Sequence, residues 1–509
     1  MGPFELACDR HVTQITQFNG TTIQLPAATA GTITEIDSYL GYEYLQKELA
    51  RSGIASISID ENVTNFLDIY LDSRADMFLA TLDEWRRQVE TDANNPCHGV
   101  LDFNHVGFLG QSRGGDAVVR AAKKNRQRTT NSYGVKALCS LSPTDATGSA
   151  SAGAMVVESQ DGPPVDEELT YLVVYGALDG DVIGVQSGTH GPFESLGGTG
   201  FRLYDRATSA KAMVFIKGAC HARFNTNWGT EPAVITTDRT LLDENKHQEV
   251  ANFYIGGFFR CFLGNEHTLK RRFTGDIKPP KDVTVSLQWS GGQNAATGFG
   301  EVRRIDTFED PTNNAFGKAR VMPFGQVIRF GDLQVNSVPQ GEGIPHQTSI
   351  IDADLTAEIP VPRVLVEELP FPLTPASDWD NFDFLMFRLG RWFDLSKRPF
   401  AGKPPRVRVS LKDDADKEVT VTEAEFFPKN VPGLPFLHEA FDLDQDGNPL
   451  PNLLQLTFQR LETVRIPLSL FSKRGLDLKK VRMVGISLEQ ADNTHVFIDS
   501  LEIVSIVGL

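Results

Sequence analysis

The stretch from Val106 to Ala122 limits what this chain can fold into more than any other. Val106-Gly-Phe-Leu109 is an apolar run of the kind that forms a short buried strand. Gly110-Gln111-Ser112-Arg113-Gly114 follows, a G-x-S-x-G pentapeptide, and then a small-residue helical run from Gly115 to Ala122. Strand, tight turn and helix in that order hold a serine on a strained turn with its hydroxyl turned outward. Glycines on either side let strand and helix pass without a Cβ clash. The competing reading is a glycine-rich strand-to-helix turn with no chemistry.

Around this stretch strands alternate with helices. Tyr39–Ala50 has Leu45 and Leu49 at helical spacing and ends at Arg51-Ser52-Gly53, where Gly53 is the expected C-cap. Ile54–Ile59 reads as a strand and the region from about Asn65 to Val89 as a long amphipathic helix. Val135–Leu141, Tyr171–Tyr175 and Ala212–Ile216 read as further buried strands, and Lys246–Leu263 as a closing helix. Thr144–Glu168, rich in Gly, Ala and Ser, reads as a surface excursion. This alternation implies an α/β fold with a doubly wound, mostly parallel sheet covered on both faces. In such sheets the active site lies beyond the carboxyl ends of the strands.

Three strand ends carry groups that can work together. Ser112 follows the first strand, Asp179 follows Tyr171–Tyr175, and His221 follows Ala212–Ile216. A serine hydroxyl is a weak nucleophile, a neutral imidazole can take its proton, and a buried carboxylate fixes the tautomer and stabilises the imidazolium. Imidazole suits the task because its unperturbed pKa is about 6.5. Asp179 is preferred to Asp181 because it stands closer to its strand end. The bland alternatives are a turn residue for Asp179 and a capping or core histidine for His221. His105 and His190 are rival bases, but neither follows a strand in the required order.

Taken together, Tyr39-x-Gly41-Tyr-x-Tyr-Leu45, Ser58-Ile-Asp60-x-Asn62, Gly110–Gly115, Asp179-Gly-Asp-Val182 and Gly218-Ala-x-His221-x-x-Phe-Asn225 resemble the α/β-hydrolase superfamily. The likeness covers the first 270 or so residues. It is to bacterial esterases related to polyester (cutinase-like, PET) hydrolases, dienelactone hydrolases and chlorophyllases. It implies Ser112 as nucleophile, Asp179 as acid, His221 as base and the backbone N–H of Arg113 as one oxyanion donor. There are two departures. Gln111 stands where the family usually has His. The His-Gly pair whose backbone supplies the second oxyanion donor has no counterpart in residues 1–40, where Cys8-Asp9-Arg10-His11 is the nearest candidate by position.

At 509 residues the chain exceeds what one hydrophobic core usually serves. The reading is a catalytic domain over 1–275, a Pro-rich linker over 276–282, and a second domain over 283–509. Beyond the linker the helical period gives way to short alternating runs: Val283–Leu287, Phe384–Arg388, Val407–Leu411, Val419–Thr422, Val481–Leu488 and Val496–Val504. Such runs with turns between them predict an all-β jelly-roll sandwich. Phe382–Arg388 and Val496–Ile503 resemble galactose-binding-like and carbohydrate-binding jelly rolls, which implies a glycan partner. Trp379 and Trp392 are either sugar platforms or core aromatics. Asp442, Asp444 and Asp446 have the D-x-D-x-D-G spacing of a Ca²⁺ loop, but Leu453 stands where a bidentate Glu is needed. An acidic hairpin turn is the competing reading.

The net charge of −17 argues against a nucleic-acid or anionic-membrane surface as the main partner. No stretch approaches a membrane span in length. No basic-then-apolar leader opens the chain, so the default expectation is cytoplasmic, or secreted if the N-terminus was trimmed. Cys8, Cys97, Cys139, Cys220 and Cys261 are widely spaced and odd in number, which favours reduced thiols. The expected activity is carboxylic ester hydrolysis through an acyl-enzyme on a small or polymeric ester, with no cofactor in the chemistry. Two rivals are a serine peptidase or acylase of the X-prolyl peptidase or cocaine-esterase type, and an inert hydrolase domain beside a binding sandwich.

Overall fold

The computed structural model describes residues 36–61, 71–144, 169–176, 179, 200, 203–204, 207, 209–228, 241–291, 298–306, 379–393, 406–426, 461–489 and 494–506, with further strands at 14–16, 22–24, 328–331, 348–351 and 363–368. The chain forms two compact units. One comprises Met1–Pro163, Leu169–Ile183 and Val214–Val285; the other comprises Pro164–Glu168, Gly184–Met213 and Ser286–Leu509. The division falls after Val285 where the sequence suggests 276–282, and Gly184–Met213 belongs to the second unit.

In the first unit α1 (Glu43–Arg51) buries Leu45 and Leu49 and ends at Gly53, whose φ of +75° admits the left-handed cap that a glycine takes without strain. The amphipathic helix α2 (Leu71–Thr91) follows. Then come β1 (Val106–Gln111), α3 (Arg113–Gln127), β2 (Val135–Leu141), β3 (Thr170–Gly176) and β4 (Ala210–Ile216), which enters this unit at Val214. These strands are neighbours in the order β1-β2-β3-β4. β1 pairs with β2 and β2 with β3 in parallel, Leu109 lying against Cys139 and Cys139 against Leu172. All seven residues of β3 are buried, as a strand covered on both faces requires. The closing helix runs from Glu244 to Phe262 as α4 (Glu244–Ala251), one π turn (Asn252–Gly256) and α5 (Gly257–Phe262). Among the described residues no helix is long and apolar enough to cross a membrane.

One expected strand is absent. Ile54–Ile59 forms no strand, and Ile57 is 39% exposed. Its residue types suit a strand, but β propensity is realised only by pairing with a neighbour. β1 stands at the end of the strand order, and Ile54–Ile59 joins no pair.

The second unit is antiparallel. β5 (Val285–Ser290) stands at the boundary; β6 (Glu301–Asp306), β7 (Ile328–Gly331), β8 (Thr348–Ile351), β9 (Arg363–Glu368), β10 (Phe384–Phe393), β11 (Arg406–Asp413), β12 (Glu418–Thr422), β13 (Leu461–Pro467), β14 (Val481–Glu489) and β15 (Thr494–Ser505) follow. One sheet has the order β13-β10-β15-β8-β7, with β6 also on β15, and the other has the order β9-β14-β11-β12. Alternate residues of both sheets meet in one core: Leu385, Phe387 and Leu389 of β10, Val464 and Ile466 of β13, Val407, Val409 and Leu411 of β11, and Val419 and Val421 of β12. Period-two burial from two sheets into a shared core is a β-sandwich. Five of the six runs legible in the sequence become strands of these two sheets; the sixth, Val283–Leu287, becomes β5, which belongs to neither of them. β6, β7, β8, β9 and β13 lack a strong alternating signal and appear only through their partners.

Trp379 is 1% exposed within that core, so it packs and does not present a platform. The unit also buries an ion pair between Arg388 and Asp499, with Gln288 Oε1 accepting from Arg388 Nη1 at 3.1 Å. Asp442, Asp444 and Asp446 lie outside the described residues, as do Cys8, His11, Asp181 and His190.

Candidate active site

Ser112 sits between β1 and α3 with φ 56° and ψ −124°. A positive φ on a non-glycine residue costs of order 1–3 kcal/mol and persists only where the surroundings impose it. Three backbone hydrogen bonds impose it here. Ser112 N–H donates to Leu141 O at 2.9 Å, and Ser112 O accepts from Gly115 N–H at 2.9 Å and from Thr144 N–H at 3.1 Å. Serine is a preferred helix cap, yet the Ser112 hydroxyl does not cap α3. Arg113 opens α3, so its N–H stands at the positive end of the helix.

The glycines around the elbow differ in their reasons. A Cβ on Gly110 would lie 2.0 Å from Gly114 O, and one on Gly115 would lie 2.7 Å from Pro143 Cβ. A Cβ on Gly114 would meet nothing within 4 Å. The close passage of strand and helix therefore needs Gly110 and Gly115. Gly114 completes the pentapeptide without a steric demand of that kind.

His221 Nδ1 donates to Asp179 Oδ2 at 2.8 Å, with the two side chains 4% and 1% exposed. A carboxylate partner at Nδ1 leaves Nε2 as the basic nitrogen, the tautomer that proton transfer from a serine needs. Asp179 N–H donates to Gly176 O at 3.2 Å, which ties the acid to the end of β3. His105 instead pairs with Asp102 at 2.6 Å on an exposed surface.

The base loop is joined to the first helix by the residues on which the resemblance rests. Asn225 Nδ2 donates to Ser38 O at 2.9 Å, Thr226 N–H to Gly41 O at 3.0 Å, and Tyr44 Oη to Phe224 O at 2.9 Å. Gly41 is glycine because a Cβ there would lie 1.8 Å from Asn225 Oδ1. Three contributors went unrecognised in the sequence. Trp228 stacks on His221 with ring centroids 5.9 Å apart and planes at 17°, and its Nε1 donates to Ser38 Oγ at 2.8 Å. Gln111 Nε2 donates to His221 O at 2.6 Å. His247 Nε2 accepts from Cys220 N–H at 3.0 Å. A tryptophan seven residues past the base was the one local signal available.

Ser112, His221 and Trp228 line a cavity of about 940 Å³. Its walls are largely apolar, with Leu45, Ile57, Phe78, Leu82, Phe259 and Leu263 among them, and Val100 on its lining is 73% exposed. Cys97, Cys139, Cys220 and Cys261 are free thiols, and burial raises the pKa of Cys139, Cys220 and Cys261.

No protein-family model matches the chain, and no curated protein matches it. Among solved structures it is similar to the Family 11 carbohydrate-binding module of cellulosomal cellulase Lic26A-Cel5E of Clostridium thermocellum, at 10% identity over 40% of this chain and 95% of that one, TM-score 0.22. It is similar to the Family 30 carbohydrate-binding module of cellulosomal cellulase Cel9D-Cel44B of Clostridium thermocellum, at 12% identity over 40% of this chain and 98% of that one, TM-score 0.22. The K1 cleaved adhesin domain of Lys-gingipain from Porphyromonas gingivalis W83 matches at 13% identity over 40% of this chain and 99% of that one, TM-score 0.20. Likeness at these TM-scores bears on neither fold nor function; the sandwich rests on its own sheets and shared core.

Proposed function

We propose that the first unit is a serine carboxylic ester hydrolase of α/β-hydrolase type. Ser112 attacks the ester carbonyl, His221 takes the serine proton and returns it to the leaving alcohol, and water then releases the acyl group with His221 again as base. Asp179 holds the imidazole and stabilises its charged form. The Arg113 N–H donates to the oxyanion. The observation that carries this reading is the strained, positive-φ Ser112 lining the same cavity as a histidine whose other nitrogen is bound to a buried carboxylate. The apolar walls favour an ester with an apolar acyl or alcohol group.

Hydrolysis of p-nitrophenyl esters of increasing chain length, with and without a serine-directed phosphonate, tests it. Activity is expected on the apolar esters and is expected to be lost on phosphonate labelling and in Ser112→Ala, with the fold unchanged by circular dichroism. More than a few per cent of turnover retained in Ser112→Ala would remove Ser112 from the mechanism. Activity abolished by a chelator and restored by a divalent cation, without phosphonate sensitivity, would replace it with a metal-bound hydroxide.

A further inference from the structure

The backbone around His221 is gripped from two sides by side chains outside the triad. Gln111, immediately before the nucleophile, donates from Nε2 to His221 O at 2.6 Å. On the other side Cys220 N–H donates to His247 Nε2 at 3.0 Å. We propose that Gln111 and His247 are positioning residues that clamp the backbone on either side of the general base, so that the imidazole is held in the cavity it shares with Ser112. The inference rests on the triad reading above.

The carboxylate of Asp179 restrains rotation of the His221 ring but does not fix where its Cα stands. That position belongs to a loop that leaves β4 through Gly218, at φ +75°, and becomes a single 3₁₀ turn over Ala222–Phe224. Gln111 ties this loop to the nucleophile strand itself, so nucleophile and base share one frame. His247 ties it to α4. The His247 ring is fully buried, donates from Nδ1 to Asp243 O at 2.9 Å, and packs edge-on against Phe224 at 4.9 Å. With Nδ1 donating, Nε2 carries the lone pair that Cys220 N–H requires.

A protonated His247 would set one N–H against another. Burial, with Arg223 as the neighbouring cation, lowers its pKa to about 4, against the opposing pull of Asp243. Above pH about 4 His247 therefore keeps the neutral form that the clamp needs.

The test uses the full chain with p-nitrophenyl butyrate, active-site titration by phosphonate, thermal unfolding, and the low-field NMR signal of the proton between His221 and Asp179. The variants are Gln111→Met, Gln111→His, His247→Phe and His247→Gln. Gln111→Met removes the donor at nearly constant volume. It is expected to lower kcat roughly 10- to 100-fold, the scale that misplacement of a catalytic group by about 1 Å produces. KM and the melting temperature should be nearly unchanged, with the low-field signal shifted or broadened. Gln111→His keeps an N–H donor and should recover most of the loss. His247→Phe should act in the same direction, and His247→Gln, which keeps an acceptor, should recover part of it. If His247→Phe does not fold, the Gln111 pair decides. An active, phosphonate-labelled wild type whose kcat and low-field signal are indifferent to Gln111→Met would overturn the clamp alone. An inactive, phosphonate-resistant wild type would overturn the triad reading and the clamp with it.

Discussion

Around Ser112 the groups that hold the backbone come from the elbow and the one strand beside it: Leu141 and Thr144 at the end of that strand, and Gly115 three residues on. Around His221 they arrive from several separate elements, His247 of α4 among them. Gln111 is 110 residues away, and the loop that follows is held by Ser38 through Asn225 at a separation of 187. The elbow is a local device whose strain is imposed by a strand, a helix and two glycines. The base loop has little regular structure of its own and takes its shape from the elements around it. The elbow should therefore fail through steric clash and the base loop through loss of polar partners, and the two kinds of failure separate in the measurements below.

The largest effect belongs to the polar side of that comparison. Asp179→Asn should lower kcat by about 10⁴, because an amide at that position favours the wrong imidazole tautomer, while the melting temperature changes little. A loss below tenfold in steady-state kinetics would mean that another carboxylate, such as Asp181, orients His221.

On the steric side, Gly110→Ala should destabilise the first unit by about 3 kcal/mol or more, since the new methyl would meet the Gly114 carbonyl at 2.0 Å and neither backbone can yield cheaply. Denaturant unfolding reads this directly. A near-neutral result would show that strand and helix are further apart than the glycine implies.

The third expectation concerns pH. The folded-state pKa of His247 is lowered to about 4 from 6.5, chiefly by burial. The unfolded chain therefore takes up the proton first on acidification. The contribution of neutral His247 should be fully present above pH about 6.5 and lost as pH falls towards about 4, for a total on the order of 3 kcal/mol. Stability measured across that window should decline less steeply in His247→Gln than in wild type. Equal slopes would show that His247 titrates normally.

The smallest effect is the sharpest contrast. Gly114→Ala, in the same pentapeptide as Gly110, has open space for its methyl and a helical backbone, so it should leave stability within about 0.5 kcal/mol or raise it slightly. A loss matching that of Gly110→Ala would mean that the G-x-S-x-G pattern acts as a unit and not through one tight approach.

The parts legible in the sequence were those whose cause is local. Val135–Leu141, Thr170–Gly176 and Ala210–Ile216 announce themselves as apolar runs because both of their faces are covered, and Val106–Gln111 does so although only Phe108 in it is fully buried. Val407–Leu411 and Val419–Thr422 announce themselves by alternation because one face meets the sandwich core. Ser112, Asp179 and His221 stood out as candidates because, where a parallel sheet delivers its strand ends to one side, the residue just after each strand is the one to examine. Ile54–Ile59 shows the limit of such reading. Its composition is that of a strand, but a strand exists only with a neighbour, and composition holds no record of one.

What only the tertiary structure decided is who meets whom. Residue types and periods along the chain determine which segments become strands and helices, because those depend on backbone preference and on which face is apolar. A glutamine donating to a carbonyl 110 residues away, a histidine accepting one amide proton beside the base, and a tryptophan laid over the imidazole leave no periodic trace. Each depends on two segments being brought within about 3–6 Å by packing elsewhere. The sequence by itself determined the turn that strains Ser112 and the order in which Ser112, Asp179 and His221 follow their strands. The three-dimensional fold decided how the His221 loop is held to the strand that carries Ser112, because a hydrogen bond is a property of two positions in space and not of either residue alone.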